Sequence, residues 1–491
     1  MAWGAPAPPG ATPGSDLIEN LGRGDASMFL LPARTLESDA AVALFGALAG
    51  NRTLTELHSC HALSDPALQA LSAALASNST LQKLCIGDAA FGDEGATALS
   101  EGLVQNVGLT ALDASHKGLT ALGAAALAGA LGSHGALKEL RLARNAIGDG
   151  GVAWLGGLLP RLTVLQLAEC SIGDADTIAG VLRKAGAPSL VELDLSSNPL
   201  GGAVAGDGME FAFPDRSLQR LGEALGSCAA LETLKLDSCS LSGSRFAELV
   251  SPLLRLSTSL GSLSASGNGA GDAGAEALGQ ALYSTVQVKA KRAGQPHECH
   301  DGSIASNGQS KLAVLTLRSN EIGVVGAQAV AGIEGLAELD LGSNPLTAAA
   351  LPALFDAEQL AKLGLSGCGL AAQGALPGLE KALGSLKLRT LDLGGNNLGD
   401  DALLPLCAAV VAAVDSGNLS LQRLQLGGSA TGEAATAALE GAAAKASSAG
   451  CELEWQSADE KAKAGGGDAE KAAAELDVVE AKLEEGKIGG E

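Results

Sequence analysis

Few side chains in this sequence stand at spacings that could do chemistry. Gly269, Gly271 and Gly274 spell G-x-G-x-x-G after a strand-like stretch and at a helix start, the arrangement that cradles a dinucleotide pyrophosphate. His297, Cys299 and His300 offer two imidazoles and a thiol, but their spacing matches no zinc pattern, so the stretch reads as a solvated loop without a metal. The chain has no G-x-x-x-x-G-K-[ST] and no H-E-x-x-H, and its six histidines form no recognisable triad with a nucleophile. Asp93, Asp149, Asp174, Asp272 and Asp400 recur, each after a glycine and before an alanine-rich run. That context predicts helix N-caps rather than catalytic carboxylates. Enzyme chemistry and a cofactor are not expected.

The elements that carry these residues repeat. Leu137 to Leu158, LKELRLARNAIGDGGVAWLGGL, joins a short strand in the pattern L-x-x-L-x-L-x-x-N-x-I to a helix with Val152, Leu155 and Leu158 or Leu159 on one face. Neither half can bury its apolar side alone, so the unit makes sense only stacked on copies of itself. Copies begin at Leu54, Leu81, Leu109, Leu137, Leu162, Leu190, Leu231, Leu260, Leu312, Leu336, Leu360, Leu388 and Leu421. Spacings of 41 residues after Leu190 and 52 after Leu260 mark insertions. The period identifies an α/β leucine-rich-repeat solenoid. The three glycines then fall on the strand-to-helix turn of the Leu260 repeat, where glycine is expected anyway.

The solenoid is expected over residues 16–455, after a disordered leader at 1–15 that lacks the features of a secretory signal. Residues 16–53 read as a degenerate capping repeat, with a strand at Phe29 to Leu31 and a helix at Ala40 to Leu48; CELEW, ending at Trp455, reads as a last strand. Insertions are placed near 201–217 and 288–310. The first carries Phe211 and Phe213, which either pack back on the scaffold or anchor a partner. Residues 456–491 read as an acidic linker and a short amphipathic helix with Leu476, Val479 and Leu483 on one face. Cys170, Cys239 and Cys368 take the turn position of the repeat as buried, reduced thiols, which implies a reducing compartment and a cytoplasmic protein. The apolar run Ala402 to Val414 is too short to span a bilayer.

A net charge of −23 excludes the basic stripe that nucleic acid requires and favours a partner with a basic surface. Side chains alternate along a strand, so the residues between the leucines face the concave side. These positions nominate Glu139, Arg141, Arg144, Glu192, Asp194, Lys235, Asp237, Glu338, Asp340 and Asp392 as a mixed, slightly acidic partner-binding face free of aromatics. The expected molecule is a monomer that binds protein, and neither nucleic acid nor membrane.

The units from about residue 26 to 455, with L-x-x-L-x-L-x-x-[NC]-x-[IL]-G-D, resemble the ribonuclease-inhibitor-like class of leucine-rich repeats. That resemblance implies a horseshoe with a parallel concave sheet and outer convex helices, and intracellular protein binding. The class includes ribonuclease inhibitors, the sensor regions of NOD-like receptors and the GTPase-activating proteins of Ran. Only the last implies catalysis, through an arginine in a loop before an N-terminal repeat helix, for which Arg34 is the nearest residue here. The asparagine those proteins carry in N-N-G-L-G aligns with Asp88 and Ala89 and is absent. An interaction scaffold is therefore the leading expectation and activation of a Ran-like G protein the alternative.

Overall fold

A leucine at the centre of a short strand has one dry place to go, and from Leu57 to Leu424 the structure puts it there. The computed structural model describes residues 28–31, 38–59, 63–86, 90–132, 134–202, 216–292, 311–370, 376–384, 387–429 and 432–455. Its contacts divide the chain into two units, residues 1–322 with 332–336, and residues 323–331 with 337–491. In the first unit, strands β1 (Met28–Leu31), β2 (Glu56–Ser59), β3 (Lys83–Ile86), β4 (Ala111–Asp113), β5 (Glu139–Arg141), β6 (Val164–Gln166), β7 (Glu192–Asp194), β8 (Thr233–Lys235), β9 (Ser262–Ser264) and β10 (Val314–Thr316) follow in chain order. Each pairs parallel with the next. In the second unit β11 (Glu338–Asp340), β12 (Lys362–Gly364), β13 (Thr390–Asp392), β14 (Arg423–Gln425) and β15 (Glu452–Glu454) do the same. The middle leucines of neighbouring strands stand side by side in the register, Leu112, Leu140, Leu165, Leu193 and Leu234 among them, each at most 3% exposed.

Between strands the chain returns through helices that stack on one another, from Ser38–Gly50 to Gly271–Arg292 in the first unit. This is an α/β leucine-rich-repeat solenoid, as the period required. The helix Gly271–Arg292 runs further than the sequence suggested, so the backbone of residues 288–292 is helix where a loop was expected. Residues 293–310, with His297, Cys299 and His300, lie outside the described residues, as do the leader and the tail. Gly269 and Gly271 have φ of +68° and +61°, and a Cβ on Gly274 would meet the Phe246 ring at 2.9 Å. Turn geometry and helix packing thus account for the G-x-G-x-x-G.

Two side-chain ladders hold the repeats in register. At the turn after each strand, Asn198 donates to the carbonyls of Leu167 (2.7 Å) and Leu195 (2.8 Å) and accepts from the N–H groups of Cys170 and Ile172 (3.0 Å each). Asn145, Asn268 and Asn396 repeat this, joining each repeat to the one before. Cys170, Cys239 and Cys368 point their thiols at carbonyls of the previous repeat. Burial pushes the thiols of Cys170 and Cys239 up to about 12, so they are inert. The residue before each rung turns left-handed, and it is often not glycine: Arg144 has φ of 60°, Glu169 54°, Ser197 56°.

The second ladder was not read from the sequence. Asn51, Asn78 and Asn106 stand at the helix C-termini, where Asn78 and Asn106 donate to carbonyls of the preceding repeat, and each of the three accepts from the N–H of the leucine that opens the next unit. His134 takes the next rung, 2% exposed, with Nε2 at 3.1 Å from Asn106 Oδ1 and Nδ1 without a partner among the described residues.

The aspartates at the helix starts need a correction. Asp174 does cap its own helix, accepting from the Asp176 N–H at 3.0 Å. Asp93, Asp149 and Asp400 do not, for each already lies inside the first turn. They reach sideways instead. Asp93 accepts from the N–H groups of Thr120 and Gly123 (2.8 Å each) and the Thr120 hydroxyl (2.5 Å) at the start of the next helix, Ala121–Gly132. Asp149 accepts from Gly173 and Asp174, and Asp400 from Gly432. A Cβ on Gly123 would meet Asp93 Oδ1 at 2.4 Å, which is why glycine stands there.

Candidate protein-binding face

In β5 to β8 the first and third residues of the strand flank the buried leucine and are half-buried on the opposite face of the sheet. Register turns them into rows: Glu139, Val164, Glu192 and Thr233 form one, Arg141, Gln166, Asp194 and Lys235 another. Side chains about 5 Å apart across such a row interact. Lys235 Nζ lies 3.0 Å from Glu192 Oε1 and 4.0 Å from Asp194 Oδ2, while Gln166 donates to Glu192 at 3.2 Å. Burial pushes the Glu192 carboxyl up, but the hydrogen bond and charge of Lys235, the Gln166 amide and Arg141 outweigh it and hold the group below its ordinary value. Arg141 pairs with Glu139 on its own strand (2.9 Å) and Arg144 with Glu169 of the next turn (3.1 Å).

The structure therefore brings seven of the nominated residues onto neighbouring repeats of the first unit, where five carboxylates, counting Glu169, meet three cations already engaged with them. In the second unit Glu338 pairs with Lys362 at 2.8 Å. Several nominated aspartates have a role the sequence reading missed. Asp194, Asp340 and Asp392 each accept, through Oδ1, the N–H two residues on (Ser196, Gly342 and Gly394), and Asp237 accepts from Ser266 and the Ser264 hydroxyl. They shape the turn that feeds the asparagine rung. An aspartate two residues before a turn was the available signal. Arg34, Phe211 and Phe213 lie outside the described residues.

A shallow depression of about 300 Å³ in the second unit is lined by Asp392, Gly394, Gln425, Gly427, Glu454 and Trp455. Only Asp392 of these was nominated. Trp455 corrects the expectation of a face free of aromatics: the strand ending CELEW delivers the ring beside the last row. Among the described residues no helix is long and apolar enough to cross a membrane.

The Leucine Rich repeat family pattern matches residues 77–100, 137–155, 186–203 and 384–407. Over 368 residues, 72% of this chain and 73% of the other, the sequence is 31% identical to the ribonuclease inhibitor of Sus scrofa. It is 34% identical to the ribonuclease inhibitor of Mus musculus over 52% of this chain and 55% of that one. To the NACHT, LRR and PYD domains-containing protein 12 of Mus musculus it is 33% identical over 45% of this chain, which spans 20% of that protein. Among solved structures, an internalin from Listeria monocytogenes aligns over 79% of this chain and 89% of its own, with 16% identity and a TM-score of 0.39.

Proposed function

Because this chain belongs to the ribonuclease-inhibitor-like family of leucine-rich-repeat proteins, we propose that it is a non-catalytic binder that holds another protein on the open, concave face of its sheet and the adjoining turns. The observation that carries this reading is the pair of charged rows on β5 to β8, half-buried and fixed by ion pairs before any partner arrives. Preorganised polar groups lose little freedom on binding. The face keeps an excess of carboxylates and the chain carries −23, which favours a partner with a basic surface. A ribonuclease, the target that the relatives' name prints, is the first probe. All seven described cysteines are free thiols, six of them buried, which supports a reducing, cytoplasmic setting. Nothing in the described residues favours the GTPase-activator alternative.

The test is capture of partners from lysate, together with direct titration of a ribonuclease, by the wild-type chain and by Glu192→Lys and Glu338→Lys. Asp194 and Asp340 are left intact because their carboxylates support turns. The variants should lose the captured protein while keeping the wild-type circular dichroism. An unchanged set of partners removes the sheet face as the binding surface.

A further inference from the structure

The opposite side of the first unit carries an apolar face that the proposed function does not use. Among the described residues with large exposed apolar side chains Trp154 is the sole aromatic, 61% exposed on the helix Gly148–Leu155, and Leu122, 74% exposed, stands on the preceding helix Ala121–Gly132. These two helices pack on each other, so Leu122 and Trp154 expose apolar surface on adjoining ridges and not as scattered single residues. The same helices carry small residues, Ala126 and Gly129 on Ala121–Gly132, Gly150 and Ala153 on Gly148–Leu155 with Gly157 just after it, and Gly180 on Ala175–Ala185. The helix Ala121–Gly132 has no charged residue at all.

The layout is complementary to itself. Leu122 and Gly150 are 28 residues apart, as are Ala126 and Trp154, so one helix presents large then small where its neighbour presents small then large. We propose that this face binds a second copy of the chain, about a two-fold axis parallel to the helices. That operation lays Ala121–Gly132 of one copy on Gly148–Leu155 of the other. Trp154 then enters the gap over Ala126 and Gly129, and Leu122 covers Gly150. The flanks agree. Glu94 and Glu101 are exposed on the helix Gly92–Leu103, and Arg183 and Lys184 on the last turn of Ala175–Ala185. Among the described residues Glu101 and Lys184 make no ion pair, and the same axis brings Glu101 to the basic turn of the other copy. An isologous interface of this kind has an apolar centre and a charged rim. Four helices about 16 Å long, spaced about 8–10 Å, offer on the order of 500 Å² per copy, near the lower limit for a specific interface. The dimer is therefore weak and concentration-dependent, and it does not need the sheet face, so both surfaces can be occupied together.

Sedimentation equilibrium of the full chain across the micromolar range decides this. The wild type should show a monomer–dimer equilibrium, and Trp154→Ala should raise the dissociation constant about tenfold or more, as expected of a central aromatic anchor. Glu101→Lys should weaken the dimer and Glu101→Lys with Lys184→Glu should restore it, a rescue that general damage to folding cannot produce. A chain that stays monomeric throughout, or a dimer indifferent to Trp154→Ala and to the charge exchange, overturns the proposal. So does association only with a different protein.

Discussion

His134 shows how one residue can make the stack sensitive to pH. It occupies the rung that Asn51, Asn78 and Asn106 fill in earlier repeats, but it is an ionisable ring. Burial, helped by the nearby Arg161 charge, pushes its pKa down. Below about pH 6.5 the unfolded chain takes up a proton that the folded chain resists, so stability should fall as pH drops through that region. His134→Asn restores an amide to the rung, and urea melts at about pH 7.5 and about pH 5.5 should show a smaller drop for the variant. Parallel losses in both proteins would remove His134 as the cause. Asp93 carries the opposite sign. Although partial burial pushes its carboxyl up, the Thr120 hydroxyl and the N–H groups of Thr120 and Gly123 hold it below the ordinary value. Its contribution is thus present above the usual carboxylate range and lost as pH falls through it. Asp93→Ala should cost roughly 0.5–2 kcal/mol at neutral pH, as loss of a cap does, with the gap to wild type closing in acid.

At the scale of elements, strands and rungs are worth more than any surface pair. Asn198 is fully buried and satisfies two carbonyls and two N–H groups, so Asn198→Ala leaves several polar groups stranded at about 1–3 kcal/mol each, less whatever water can enter. Leu140→Ala and Leu193→Ala, at 0% and 1% exposure, should each cost roughly 2–5 kcal/mol. By contrast, breaking the Glu192 and Lys235 pair should change stability by about 1 kcal/mol or less, because both side chains are partly in water. Thermal melts of these variants order the terms; an ion-pair variant as unstable as Leu140→Ala would contradict the hierarchy. These elements were legible in the sequence because the L-x-x-L-x-L pattern recurs even where the spacing varies: each of the thirteen repeat starts precedes a strand. What periodicity cannot reveal is a partner from another repeat. Asp93 looked like a local cap because sequence places it beside its own helix, while the N–H groups it binds are 27 and 30 residues away. The Asn51, Asn78 and Asn106 series was visible at spacings of 27 and 28, but nothing marked asparagine there as more than loop composition. Of the binding face, the rows followed from strand alternation, whereas the turn-shaping role of Asp194 and the place of Trp455 depend on how loops close.

For the molecule as a whole, a charge of −23 is a distributed repulsion that ions screen. Each repeat leans on its neighbours alone, so a lesion such as Leu193→Ala should loosen nearby amides first and then those further along, which hydrogen exchange can follow. The sideways aspartates add a rule about where such a chain can be divided. A cut made just ahead of a strand, at Leu109 for instance, follows the leucine period yet leaves Asp93 on one fragment and Thr120 and Gly123 on the other. The natural seam runs elsewhere: a fragment that is to stand alone at its N-terminal edge must keep the helix of the repeat before it, so the exchangeable module begins at a helix and not at a leucine.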